Sequence, residues 1–459
     1  MQRLSTESGT WQRYLRAVCL GAVVAIGLTL RLSTAAHTQV DHPIRNDAKE
    51  YVAYAWNLKY LGIYSPDFST LLGTSSTAVP DAVRPPGYPL WLDIFLPKYI
   101  DGSFAHQVAY AQAWVATATL LCITLLAMEV IGAWAGLVAG LFVALSPHQS
   151  VYIPYLLSET LFGAVLVVAL GAVALSLKME QPRWRYLLAA AGGALFGASC
   201  LVRPTLNQWV PVLLLLLLIP AMRRYRREII ALALGFFLIM SPWWVRNEIS
   251  LHRVSDSTKM VVTIQQGSYV DLMYEGRPET FGAPYRFDPA AEKIGTSWTL
   301  LFADLRAKFA AHPVAMTRWY LFGKMACFFS WSSAEGWRDI YTYPVFSSPW
   351  MTDSAYIAIG AVMQAVHAPL IILGILGMGL AFLPTTARLF GGYRTDALRF
   401  FALLQLFAIG VHVVGLPIAR YSVPFMPITF LLATFFMVWL VRKYREHKQK
   451  ELAFAAAHD

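Results

Sequence analysis

Three arginines stand where a guanidinium needs a reason: Arg203 before Pro204, Arg246 before Asn247 and Arg420 before Tyr421, each at the edge of an apolar run. Such a side chain either snorkels to lipid headgroups or grips a phosphate with two parallel N–H donors. A shared depth at the edges of apolar segments favours the grip. Glu159, in Leu157-Ser158-Glu159-Thr160, raises the same question with the opposite charge. An ionised group there is costly unless it faces an aqueous cavity. The alternative is local: Ser158 caps a helix and Glu159 complements its positive N-terminal dipole. Asp47 and Glu50, in Arg45-Asn46-Asp47-Ala48-Lys49-Glu50-Tyr51, have the spacing of a capping box, so spacing alone makes Asp47 structural slightly more readily than catalytic. Together, a carboxylate and several cations would suffice to take a proton and to hold a phosphate. Arg84-Pro85-Pro86-Gly87-Tyr88-Pro89 is a rigid turn that says little by itself.

The elements that position these residues are helices built for lipid. Of 459 residues 57% are hydrophobic and 14% charged, against roughly 25% charged in soluble domains. Apolar runs such as Leu161 to Leu177 and Pro424 to Val441 approach the roughly 20 residues a helix needs to cross the hydrocarbon core. Period-2 alternation, the mark of a membrane barrel, is not apparent. The class is therefore all-α, polytopic, with ten spans at about 15–35, 108–128, 131–147, 155–177, 187–203, 206–222, 228–245, 357–383, 398–418 and 422–441. Residues 1–459 read as one membrane domain.

Charge sets the orientation. The net +10 could suggest nucleic acid, but the basic residues bracket apolar spans, and no nucleic acid is expected. With both termini cytoplasmic, 18 of the 37 Lys and Arg fall in short inner segments, among them Arg223/Arg224/Arg226/Arg227 and Arg442/Lys443/Arg445/Lys448/Lys450. Almost all the others lie in two long outer loops, 36–107 and 246–356, which the positive-inside rule hardly constrains. Met316 to Trp331 is apolar enough to tempt a further span, but a crossing there would put the basic tail outside; it reads as an interfacial or re-entrant helix. The N-terminal run resembles a signal peptide, yet Arg31 interrupts the approach to Thr34-Ala35-Ala36 and argues against cleavage. Cys19, Cys122, Cys200 and Cys327 lack CxxC spacing, and the ten histidines include no HExxH pair.

Taken in order along the chain, these fragments resemble the GT-C superfamily of glycosyltransferases, in the branch of protein O-mannosyltransferases and lipid A aminoarabinose transferases. The resemblance is carried by Asp47 with the Tyr/Ala/Asn-Leu helix after the first span, Arg-Pro-Pro-Gly-Tyr-Pro at 84–89, Ser158-Glu159, Arg203-Pro204 and Pro242-Trp243-Trp244-Val245-Arg246-Asn247. It continues through Gly267-Ser268-Tyr269-Val270-Asp271-Leu272, Gly276 and Arg420-Tyr421-Ser422-Val423-Pro424. It implies a GT-C-like bundle of about ten transmembrane helices with two long extracytoplasmic loops. It also implies a sugar donor on a polyprenyl phosphate, with transfer and inversion at the outer face of the membrane. Asp47 becomes the catalytic base; Arg203, Arg246 and Arg420 become phosphate binders, with Arg84, Glu159, Tyr269 and Tyr421 as further substrate-binding candidates. Tyr51, Tyr54, Tyr269 and Trp243 either line the sugar or lipid cavity or belong to an interfacial aromatic belt.

One departure matters: the family often shows Asp-Glu, whereas Ala48 follows Asp47 and Glu50 is the nearest acid. This leaves the part of Glu50, and of a divalent metal, open; no other cofactor is implied. The acceptor is a glycolipid, a polysaccharide or a protein, and the expected location is the bacterial cytoplasmic membrane with the site facing the periplasm or exterior. A transporter or flippase of lipid-linked sugars is the alternative, although no paired halves are visible. A catalytically dead scaffold is the third reading.

Overall fold

Lipid offers no partner for backbone N–H and C=O groups, so a chain this apolar closes its hydrogen bonds within helices. A computed structural model describes residues 2–255, 258–334, 336 and 339–456, and they form an all-α integral membrane protein. Its bundle helices are α1 (Gln2–His37), α3 (Gly102–Ile131), α4 (Ala133–Leu145), α5 (Glu159–Lys178), α6 (Pro182–Val202), α7 (Trp209–Leu216), α8 (Arg226–Leu251), α10 (Ser354–Leu380), α11 (Gly392–Val414) and α12 (Met426–Ala456). Between them, α2 (Asn46–Leu61) lies in the first long loop and α9 (Trp298–Ala311) in the second.

Among the described residues, eight helices are long and apolar enough to cross a membrane. The expected spans 131–147 and 206–222 correspond to shorter pieces, Ala133–Leu145 and Pro204–Leu216. At 1.5 Å per residue each reaches only about 20 Å of a hydrocarbon core roughly 30 Å thick. Gly132, Ser146-Pro147 and Pro204 are where these apolar runs break.

The centre of the bundle is α12, where Met426, Ile428, Leu431, Leu432 and Ala433 are fully buried. Helices α6 and α8 pack backbone to backbone: a Cβ added at Gly193 would stand 1.8 Å from the Leu232 carbonyl oxygen, and one at Gly235 1.9 Å from that of Ala190. Small residues permit that approach where lipid supplies no hydrophobic drive between helices. Leu234, Leu238, Val362 and Ile372 remain exposed on the outside of the bundle, as lipid-facing residues must.

Side-chain contacts show which helix ends share a side. At one end, Lys178 meets Glu129 at 2.8 Å, Arg185 meets Glu228 at 2.5 Å, Arg224 meets Asp396 at 3.2 Å, and Arg442 donates to the Leu389 carbonyl. The short connections and the basic clusters gather there. The opposite end carries both long loops, tied together by β1 (Gln39–Val40) antiparallel to β2 (Val345–Ser347). Met316 to Trp331 falls largely within one continuous helical stretch from Pro313 to Phe328, whose middle turn, Trp319–Gly323, is π-helical. The fully buried Lys324 donates to the carbonyls of Val413, Val414 and Gly415 at 2.8, 3.4 and 2.9 Å, capping α11.

Candidate active site

Asp47 lies in the first turn of α2, but it does not cap it. Arg45 holds the N-cap position without a side-chain bond. Both carboxylate oxygens instead face guanidiniums: Oδ1 accepts from Arg84 Nη2 at 2.7 Å, and Oδ2 stands 2.9 Å from Arg420 Nη2. Charge-assisted bonds of this kind are roughly twice as strong as neutral ones, which is why the capping-box geometry is not adopted. Glu50, one turn on, reaches the same Arg84: its Oε2 accepts from Nε at 2.5 Å, while Oε1 lies 3.4 Å from Lys259 Nζ.

Glu159 opens α5, and Ser158 makes no capping bond to it. Glu159 Oε1 accepts from Arg203 Nη1 at 2.9 Å and from Arg420 Nε. The charges therefore alternate in one ladder: Glu50, Arg84, Asp47, Arg420, Glu159, Arg203. Side-chain exposure is 35% at Glu50 and 30% at Asp47 but only 7% at Arg420 and 1% at Glu159, with Arg203 beyond at 13%. The Asp47 end is the open end.

Several local devices hold the ladder in register. A Cβ at Gly87 would lie 2.7 Å from the Leu201 carbonyl oxygen, so glycine is what lets the Arg-Pro-Pro-Gly turn press against the end of α6, beside Arg203. The next residue, Tyr88, packs edge-on to Tyr51 and donates to Gln112 Oε1 at 3.2 Å. Gln112 in turn donates to the carbonyls of Ile153 and Tyr155, fixing the approach to Glu159. Gln149 donates to the Val423 carbonyl at 2.7 Å, anchoring the 3-10 segment Ala419–Phe425 that carries Arg420. Tyr421 lies under the Arg203 guanidinium, 4.5 Å from ring centroid to carbon, and Tyr51 lies under Arg84 at 5.2 Å.

The structure brings together Asp47, Arg84, Glu159, Arg203, Arg420 and Tyr421, and it leaves two candidates outside. Arg246 donates to the Asp81 carbonyl at 2.7 Å and lies against both Tyr64 and Trp243, which pack edge-on to each other. It is a neighbour of the ladder, because the Tyr64 hydroxyl donates to the Arg84 carbonyl at 3.0 Å. Tyr269 sits within the second loop, its hydroxyl donating to Asp288 and accepting from Gln265, with Lys308 over its ring. Residues that sequence reasoning missed include Asp81, which accepts from Tyr54, and Lys324, which fixes the end of α11 shortly before Arg420. A lone lysine within an apolar stretch was the available signal for Lys324.

Electrostatics make Asp47 an anion. Burial pushes its carboxyl upward, but Arg420 and Arg84, with Arg203 farther off, outweigh burial and hold it well below the usual carboxylate range. As the cluster stands, Asp47 is consequently a weak base. Among the described residues, no three His, Cys, Asp or Glu side chains converge as a metal site. Between Asp47 and Glu50, the place for a divalent ion shared by two carboxylates, stands the guanidinium of Arg84.

No family model and no curated protein matches this chain. Among solved structures it is similar to the Archaeoglobus fulgidus oligosaccharyltransferase tethered with an acceptor peptide containing the NVT sequon, at 13% identity and a TM-score of 0.52, over 97% of this chain and 52% of that one. The archaeal oligosaccharyltransferase AglB of the same organism, in complex with an inhibitory peptide and a dolichol-phosphate, matches at 14% identity and a TM-score of 0.52, over 96% and 52%. ArnT from Cupriavidus metallidurans bound to undecaprenyl phosphate matches at 16% identity and a TM-score of 0.39, over 94% and 78%. These neighbours belong to the GT-C superfamily. The chain spans about half the length of the oligosaccharyltransferase, and at such identities the likeness is one of fold: a GT-C-type membrane bundle.

Proposed function

We propose that this chain is a membrane glycosyltransferase that moves a sugar from a polyprenyl-phosphate carrier to a hydroxyl acceptor, with Asp47 as the base and Arg420, Arg84 and Arg203 as the phosphate-binding cations. The observation that carries the reading is the ladder itself: a partly open carboxylate between two guanidiniums, of which Arg420 is backed by the buried Glu159 and Arg84 by the more open Glu50. In the reaction Asp47 takes the proton of the acceptor hydroxyl, the acceptor oxygen bonds to the anomeric carbon, and the bond from that carbon to the phosphate oxygen breaks. The electron pair stays on the phosphate, where the arginines meet the growing charge. One displacement inverts the anomeric centre.

A lipid phosphate also fits the fold, since an oligosaccharyltransferase sharing it was solved with a dolichol-phosphate. The basic clusters in short connections at the opposite end of the bundle support a site on the extracytoplasmic face, in a bacterium the periplasmic side of the cytoplasmic membrane. The acceptor is a glycolipid, a polysaccharide or a protein. Mass spectrometry of glycolipids and glycoproteins from cells with and without the chain is the deciding experiment. Loss of one saccharide unit, restored by the wild-type chain but not by Asp47→Asn, is the expected result. Identical profiles, with no transfer from polyprenyl-phosphate sugars by the reconstituted chain, would refute the reading.

A further inference from the structure

Every guanidinium of the ladder already carries a carboxylate. Arg420 gives Nε to Glu159 and Nη2 to Asp47. Arg84 holds Asp47 and Glu50, and Arg203 holds Glu159. Asp47, for its part, has each oxygen on an arginine. In this arrangement the Nη2 donors that Arg420 and Arg84 turn toward each other are both spent on Asp47, so a donor phosphate entering between them meets a carboxylate, and an acceptor hydroxyl finds a base whose oxygens are engaged. One carboxylate has to give way. Glu159 is ill placed to do so, because it is 1% exposed and shared by two arginines, and taking it out would leave Arg203 without a carboxylate and the buried Arg420 with Asp47 alone. Asp47 is 30% exposed, at the open end, and can turn toward solvent.

We propose, resting on the reading above, that Asp47 is the resident anion of the phosphate site: the donor phosphate displaces it from Arg420 and Arg84, and only that displacement releases it as the base. Base and leaving group then use the same cations in turn. Before transfer, the phosphodiester and the Asp47 carboxylate carry one negative charge each. After transfer, Asp47 holds the proton and the phosphate monoester has gained the second charge, so the negative charge within the site moves from carboxylate to phosphate without changing in sum, and it is Arg420 and Arg84 that meet the increase on the phosphate. Once Asp47 loses its proton, it competes with the product for the same arginines and helps to expel it. The withdrawal of Arg420 also removes a main cause that holds the Asp47 carboxyl low, restoring its basicity when the donor is in place.

The test is equilibrium binding of a polyprenyl monophosphate, with the uncharged polyprenol as control, to the full chain in lipid nanodiscs at pH 7. Asp47→Asn and Asp47→Ser are each expected to bind the monophosphate at least about tenfold more tightly than wild type, the size of one charge-assisted bond that no longer has to be broken. Neither should gain affinity for polyprenol, and Arg420→Gln should bind the monophosphate at least about tenfold more weakly. Equal or weaker monophosphate binding by the folded Asp47 variants overturns the inference, as does an equal gain for polyprenol, which would mean only that a cavity has opened. If neither wild type nor any variant distinguishes the monophosphate from polyprenol, it is the lipid-phosphate reading itself that fails.

Discussion

Exchanging Asp47 for Asn keeps the size of the side chain and removes its charge and its capacity to take a proton. An N-cap would tolerate the change, since Asn and Asp rank together as caps, but Asp47 makes no capping bond in α2. The variant should still fold, because Arg420 keeps Glu159 and Arg84 keeps Glu50 as partners, although the stability contributed by the Asp47 carboxylate itself is lost. Transfer should fall far, by roughly 10²–10⁴-fold, which corresponds to about 3–5 kcal/mol of barrier. Glu50→Gln tests the neighbouring acid on the same scale. It removes the open end of the ladder and leaves Asp47 between its two arginines, so a loss of about tenfold or less is expected. The assay is single-turnover transfer from a polyprenyl-phosphate sugar, using detergent-purified variants matched in thermal stability. Near-normal transfer by Asp47→Asn would remove Asp47 from the chemistry, and a larger loss from Glu50→Gln would reverse the two roles.

Other consequences are open to measurement. Glu159→Gln, which leaves Arg203 and Arg420 without their buried counter-charge, should cost about 3–5 kcal/mol in denaturant unfolding; a loss below about 1 kcal/mol would mean the pair finds other partners. Arg246→Met should leave polyprenyl-phosphate affinity within about threefold of wild type, because its guanidinium serves the Asp81 carbonyl, and a hundredfold loss would place it in the phosphate site after all. Chelation by EDTA should leave transfer unchanged, Arg84 standing between Asp47 and Glu50; a rate abolished by EDTA and restored by Mg²⁺ or Mn²⁺ would show that the arginine yields to a metal. Because the Asp47 carboxyl is held below its unfolded value, its stabilising contribution is complete above about pH 4 and fades as the pH falls below it. The gap between thermal melts of wild type and Asp47→Asn should therefore begin to narrow below about pH 4 and close only well below about pH 3, and a gap that does not change with pH would show that the carboxyl is not held low.

The class and the helical segments were legible because lipid imposes them: apolar runs near 20 residues must be helices, whatever their detail. What hydropathy could not convey is where a run breaks, and Gly132, Pro147 and Pro204 shorten two of the ten to 13 residues each. The arginines and Glu159 were legible through cost alone, as charges at the edges of apolar runs. Asp47 was concealed by its spacing to Glu50, which reads as a capping box. Its true partners are distant in sequence, Arg84 lying 37 residues away and Arg420 in the segment between α11 and α12, near the far end of the chain. Arg246 shows the opposite failure. Depth along α8 was legible, but rotation was not, because Trp243 and Trp244 make that turn aromatic on more than one side and periodicity gives no bearing.

The charged residues buried at this end of the bundle fall into two kinds, and only partners distinguish them. Arg31 lies in the first span at 1% exposure and donates to the carbonyls of Gly27 and Val143, the latter near the end of α4. Lys324 does the same for the end of α11. The last carbonyls of a helix have no partner within it and carry the negative end of its dipole, so a cation placed there is satisfied by backbone that cannot move away. Such a cation is bound for good. Arg203 and Arg420 end instead on carboxylates, and Asp47, the open one, can swing out and leave a guanidinium to another anion of the same geometry. Sequence records the four cations as equally unexpected, since a carbonyl partner leaves no mark on residue type and a carboxylate partner lies in another segment. The exchangeable pair is thus set apart by the coincidence of Asp47 and Glu159 at the same end of the bundle, a relation of tertiary packing that the cost of a buried charge can only hint at.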